Sequence, residues 1–201
     1  MSPFGKSVST LLALGALTSC GSDPVSQEPT DARVATQAPS LAGVLNAPDA
    51  HGRRHVAILD DCDATDPAWS ATGGCSLRGG AVDEAEFSAF VVSPLAAAVV
   101  GHPAWRNEPS YLRVTAGRSI LVSNDGGRTH TFTPVAEFGG GRVPPLSFGL
   151  TAAPECALPP NSPDPHLVAP GGRLELDHLA AGNHRFQCCF HPWMRALIKV
   201  E

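Results

Sequence analysis

The chain of 201 residues has one tyrosine, two methionines and few charges, 16% of its residues being Asp, Glu, Lys or Arg. No run of Lys or Arg and no basic helix face occurs, and the net charge is −5, so the electrostatic footprint of a nucleic-acid binder is missing. Gly-x-Ser-x-Gly turns, phosphate-binding loops and dinucleotide fingerprints are absent too, which leaves nucleophilic hydrolysis and nucleotide chemistry without an anchor. The apolar stretch Val8 to Leu17 is too short to cross a bilayer as a helix. What the chain has in abundance is turn formers. Twenty glycines and nineteen prolines beside 43% apolar residues predict a globular, mainly β protein of short strands and long loops.

Lys6 followed by that short apolar core has the form of an export signal. The next residues, Leu17-Thr18-Ser19-Cys20, resemble the bacterial lipobox, in which the cysteine is acylated and becomes the new N-terminus. Residues 1–19 are thus expected to be a lipoprotein signal peptide. Residues 20–45, rich in Ser, Thr, Pro and Asp without apolar periodicity, are expected to be a flexible tether to the membrane through the lipid on Cys20. This puts the chain in the bacterial cell envelope, on its periplasmic or extracellular face. Six cysteines fit that compartment as disulfides or ligands, and removing Cys20 leaves an odd five. One thiol must have another task.

Residues 46–108 form an N-terminal extension of mixed character. His55 to Leu59 predicts a strand, and the aspartates 60, 61, 63 and 66 read as a solvated acidic turn between it and Cys75. Asp83 with Glu86 three residues on resembles a capping box, and Phe87, Phe90 and Val91 follow at helical spacing. Ser93-Pro94 opens a second short helix that Gly101 can stop. From residue 109 to 201 the apolar period becomes two. Strands are predicted at Tyr111 to Thr115, Ile120 to Ser123, Thr129 to Val135, Leu174 to His178, Asn183 to Cys188 and Ala196 to Val200, which argues for a β-sandwich. Between them lies a Pro-rich excursion, Phe138 to Gly172, long enough to need a function or a staple.

The segment Gln187-Cys-Cys-Phe-His-Pro-Trp-Met-Arg195 gathers two thiols, an imidazole and a thioether. Cys188, His191 and Met194, joined by His130 from another strand, make a His₂Cys set with a weak axial Met, which favours copper in electron transfer, whereas zinc would want four strong donors. With these residues the sequence resembles the cupredoxins, the type 1 blue-copper proteins, and its ligand loop is similar to the amicyanin and plastocyanin kind, spaced Cys-x₂-His-x₂-Met. That resemblance implies a cupredoxin-like Greek-key β-sandwich over 109–201, with a small helical extension before it. It also implies one type 1 copper held by His130, Cys188, His191 and Met194. Counting from Cys188 gives the family spacing and counting from Cys189 does not, so the resemblance makes Cys188 the ligand. Thr131 stands where many members carry an Asn that bonds across to the cysteine loop.

Strand alternation separates the cysteine pair independently, since Phe186 and Cys188 share one face and Gln187 and Cys189 the other. Four cysteines, Cys62, Cys75, Cys156 and Cys189, remain for disulfides, with three possible connectivities. The preferred one joins Cys62 to Cys75 and uses Cys156 with Cys189 to pin the excursion.

The expected function is electron transfer by an envelope-tethered carrier that is not an enzyme. Redox proteins of the envelope would be its partners, with Pro192 and Trp193 as an apolar docking patch around His191. Copper storage or delivery without electron transfer is the alternative.

Overall fold

The computed structural model describes residues 54–93, 95–160 and 162–201. The expected signal peptide, Cys20 and the tether lie outside the described residues. No helix among the described residues is long and apolar enough to cross a membrane.

The described residues form ten strands: β1 (Arg54–Leu59), β2 (Arg106–Glu108), β3 (Tyr111–Val114), β4 (Ile120–Asn124), β5 (His130–Thr131), β6 (Thr133–Val135), β7 (Leu167–Val168), β8 (Arg173–Leu176), β9 (Gly182–Gln187) and β10 (Arg195–Val200). One four-stranded sheet runs in the order β2-β1-β4-β8 and a second in the order β3-β10-β9-β6. Both are mixed, because β1 lies parallel to β4 and β10 parallel to β3 while the other pairs are antiparallel. Period-two alternation sends Val56, Ile58, Ile120 and Val122 inward from the first sheet, and Leu112, Phe186, Ala196 and Ile198 inward from the second. These side chains form one core between the sheets. Each large one buried there contributes about 1.5–3 kcal/mol. The mainly β sandwich predicted from the turn-rich composition is thus present.

The extension expected over 46–108 is not simply a layer outside this sandwich. Its described part supplies β1 and β2, and β1 sits inside the first sheet between β2 and β4. The helical cover expected there also exists. Asp83 caps helix α1 (Glu84–Val91) by accepting from the Glu86 N–H at 2.7 Å, and one π-type turn follows at Ala96–Val100. On α1, Phe87 packs its ring 4.6 Å from Trp105 and 5.6 Å from Trp69.

The single strand expected over Thr129 to Val135 is broken in two. His130 and Thr131 pair with β7 inside the excursion, whereas Thr133 to Val135 pair with β9. Phe132 lies between them, fully buried and stacked 4.6 Å from Phe186. The chain changes partners at that anchor, which periodicity alone does not reveal because both halves remain extended.

The excursion is held by a disulfide and by polar ties. Cys156 is bridged to Cys189, and Cys62 to Cys75, the preferred connectivity. Arg142 donates through its backbone N–H to the Cys189 carbonyl (2.7 Å), and through its guanidinium to the Cys156 carbonyl (2.6 Å) and to Asp164 (2.7 Å). A Cβ on Gly141 would run into the carbonyl of Cys189. Gly141→Ala should therefore cost about 1–3 kcal/mol through forced backbone shifts, read as a lower denaturant midpoint with an unchanged m-value.

Candidate metal centre

Two turns bring the site together. The first, Asn124 to Arg128, leads from β4 into β5, and its conformation is set by Asp60 at the end of β1. The Asp60 carboxylate accepts from the Gly127 N–H (2.9 Å) and the Arg128 N–H (3.0 Å), and its Oδ2 lies 2.7 Å from His130 Nε2. No Cβ would fit on Gly126, because it would strike this carboxylate. Both Asp60 and His130 side chains are shut off from solvent. One edge of the His130 ring is thereby fixed, which leaves Nδ1 to face Cys188 Sγ at 3.7 Å.

The second turn is the Cys188 to Met194 loop. It closes on itself, with the Met194 N–H donating to the His191 carbonyl (2.9 Å) and the Cys188 N–H donating to the Met194 carbonyl (3.0 Å). This brings His191 Nδ1 to 3.7 Å from Cys188 Sγ, the same distance as His130 Nδ1. His130, Cys188 and His191, all buried, thus offer three ligand atoms within 4.8 Å of one another, and among the described residues theirs is the group of that kind found. Met194 is fully buried in the core that also contains Cys188.

Thr131 ties the two turns. Its backbone N–H points at Cys188 Sγ (3.4 Å), and its hydroxyl accepts from the Cys189 N–H at 2.8 Å. The Thr131 side chain meets the cysteine loop as an acceptor, and it is the backbone N–H that points at the sulfur.

Electrostatics favour metal binding. Burial opposes ionisation of Cys188, but hydrogen bonds and charge from His130 and His191 hold its thiol well below the ordinary range. Burial also works against charge on His130, yet Asp60 and Cys188 raise it to about 9. Among the described residues no carboxylate pairs with His191, and burial pushes it down. A thiolate flanked by two converging imidazole nitrogens suits a soft or borderline metal ion. The carboxylate behind His130 orients the ring and raises its basicity, as outer partners of metal-binding histidines do.

No family model matches the chain, and none of the curated proteins does. Among solved structures the chain is similar to a purple cupredoxin from Nitrosopumilus maritimus, at 22% identity over 53% of this chain and 90% of that one, with a TM-score of 0.36. It is similar also to amicyanin from Paracoccus versutus, at 14% identity over 48% of this chain and 73% of that one, with a TM-score of 0.32. A reduced amicyanin variant gives 22% identity over 46% and 70%, with a TM-score of 0.30. Likeness at this level decides neither the metal nor the activity, which rest on the side chains themselves.

Two expectations change. Asp60 is not part of a solvated turn; it is buried and bonded, while Asp63 and Asp66 serve the local chain by accepting from Thr65 and Ala68. Alternation in His-Val-Ala-Ile-Leu-Asp carried the signal, because Asp60 follows Val56 and Ile58 on the inward face. Pro192 and Trp193 do not form an open patch around an exposed His191. Pro192 is buried and His191 is 7% exposed. The Trp193 indole donates to the Trp105 carbonyl (3.1 Å), with Gly101 packed so tightly against it that no Cβ would fit. The cover built by 83–105 explains the difference.

Proposed function

We propose that this chain is a type 1 copper protein of the cupredoxin kind, a one-electron carrier tethered to the bacterial envelope through Cys20. The observation that carries the reading is the buried Cys188 sulfur with the Nδ1 atoms of His130 and His191 each 3.7 Å away. Bound copper would supply the one-electron couple. His130, Cys188, His191 and Met194 would hold it, and the sulfur and imidazole donors serve both oxidation states. Asp60, Thr131 and the disulfide at Cys189 fix the donors before metal arrives, so that little rearrangement accompanies a change of charge. Anchoring is supported by the lipobox-like Leu17 to Cys20 and the polar segment after it. Redox proteins of the envelope would be the partners.

Copper(II) titrated into the metal-free soluble chain should bind at one equivalent and give an intense thiolate-to-copper band in the visible. The band should vanish on mild chemical reduction and return on reoxidation, and it should persist against a competing chelator. A colourless complex, or copper stripped at once by the chelator, would sink the carrier reading.

A further inference from the structure

We infer that the cavity beside His191 is a binding site for a small, flat, uncharged aromatic alcohol, a phenol or hydroquinone of one or two rings. The cavity measures about 450 Å³ and is walled by Trp69, Phe87, Leu146, Phe190 and His191. That volume falls in the range of about 300–1,000 Å³ found for small-ligand sites. Its walls come from five separate parts of the chain: the turn after Pro67, helix α1, the turn before β5, the Pro-rich excursion and the Cys188 to Met194 loop. Aromatic faces of this kind favour a flat ring over an aliphatic one through offset or edge-on stacking.

The polar groups of the cavity narrow the ligand further. His191 turns Nδ1 toward Cys188, so the opposite ring edge, carrying Nε2, faces away from the thiol. No described residue hydrogen-bonds that Nε2, although His191 is 7% exposed and its ring lines the cavity. A ring nitrogen that lines the cavity without a protein partner is placed to exchange a hydrogen bond with a hydroxyl of the ligand. The two charged residues of the lining, Glu84 and Arg128, are of opposite sign. Arg128 lies 4.7 Å over the Trp69 ring and donates to the carbonyls of Thr72 and Gly74, while Glu84 accepts from the Ser88 hydroxyl at 2.5 Å. The two opposite charges act on each other across the lining, so the cavity has no net charge to favour an ion and a neutral molecule fits best. Binding here belongs to the chain's own side chains and does not depend on the copper reading.

Calorimetric titration of 2-naphthol into the metal-free chain should show one saturable site. Its saturated analogue, decahydro-2-naphthol, and the anion 2-naphthoate should each bind at least tenfold more weakly. Val91→Trp, which fills the cavity from α1, should weaken 2-naphthol at least tenfold. In the unsubstituted protein, NMR shifts on adding 2-naphthol should centre on Phe87, Thr129, Leu146 and His191, a readout that does not need the variant to fold. Lack of saturable binding, equal affinity for the saturated alcohol, tighter binding of the anion, or shifts centred elsewhere would each overturn the assignment.

Discussion

Exchanging either member of the cysteine pair for serine should give opposite outcomes. Cys188→Ser removes the sulfur on which both Nδ1 atoms converge, and the visible band of the copper-loaded protein should disappear entirely. Metal-free stability should change little by comparison, since no cross-link is lost. Cys189→Ser should keep the band and lose stability. The bridge to Cys156 spans 33 residues of sequence, and closing a loop of that size is worth about 3–4 kcal/mol in the chain-entropy account. The lost constraint should appear as a lower denaturant midpoint and as faster amide exchange through the Pro-rich excursion. A blue Cys188→Ser protein and a colourless Cys189→Ser protein would reverse the assignment of the pair.

The second large effect is expected at Asp60. Truncation to Ala would leave the N–H groups of Gly127 and Arg128 and the Nε2 edge of His130 without their acceptor in a buried setting. Each unpaired polar group costs about 1–3 kcal/mol, so Asp60→Ala should lose roughly 3–5 kcal/mol and free the His130 ring to turn. Burial alone would raise the Asp60 carboxyl, but His130 and the two backbone donors hold it below its ordinary value of 3.8. A carboxyl depressed in the folded state stabilises fully above its unfolded value, and that contribution is lost as pH falls through the folded one. Asp60→Asn should therefore flatten part of the acid limb of metal-free unfolding below about pH 4. An unchanged limb would mean that the Asp60–His130 pair contributes no pH-dependent stability.

Much of this was legible in the residues, for specific reasons. The His130, Cys188 and His191 cluster could be read because Cys188 and His191 sit with Met194 in one loop whose spacing is itself the signal. Six of the strands, β1, β3, β4, β8, β9 and β10, were visible, most clearly β3 and β10, where every second residue is buried and the apolar period stays clean. The disulfide at Cys189 followed from alternation and from an excursion too long to stand unsupported. Less visible was anything that depends on two distant segments meeting. Asp60 and His130 are 70 residues apart, and a carboxylate at the end of a strand looks like a turn residue until the strand is known to lie inside a sheet. The cover over His191 was hidden for a related reason. Helix α1 buries no side chain completely, so its weak periodicity did not announce what Phe87 and Trp105 would lie against.

The neighbouring cysteines pose a problem of chemoselectivity when the disulfides form. Cys156 has two candidate thiols within one residue of each other, and only one joining leaves a donor for the metal. The fold distinguishes them by burying Cys188 in the core between the sheets and Cys189 in a separate small cluster with Val135, Ala153 and Cys156. To reach Cys156, the Cys188 sulfur would have to leave the main core and the chain would have to turn over. Tertiary packing thus acts as a protecting group for the thiol that faces the two histidines.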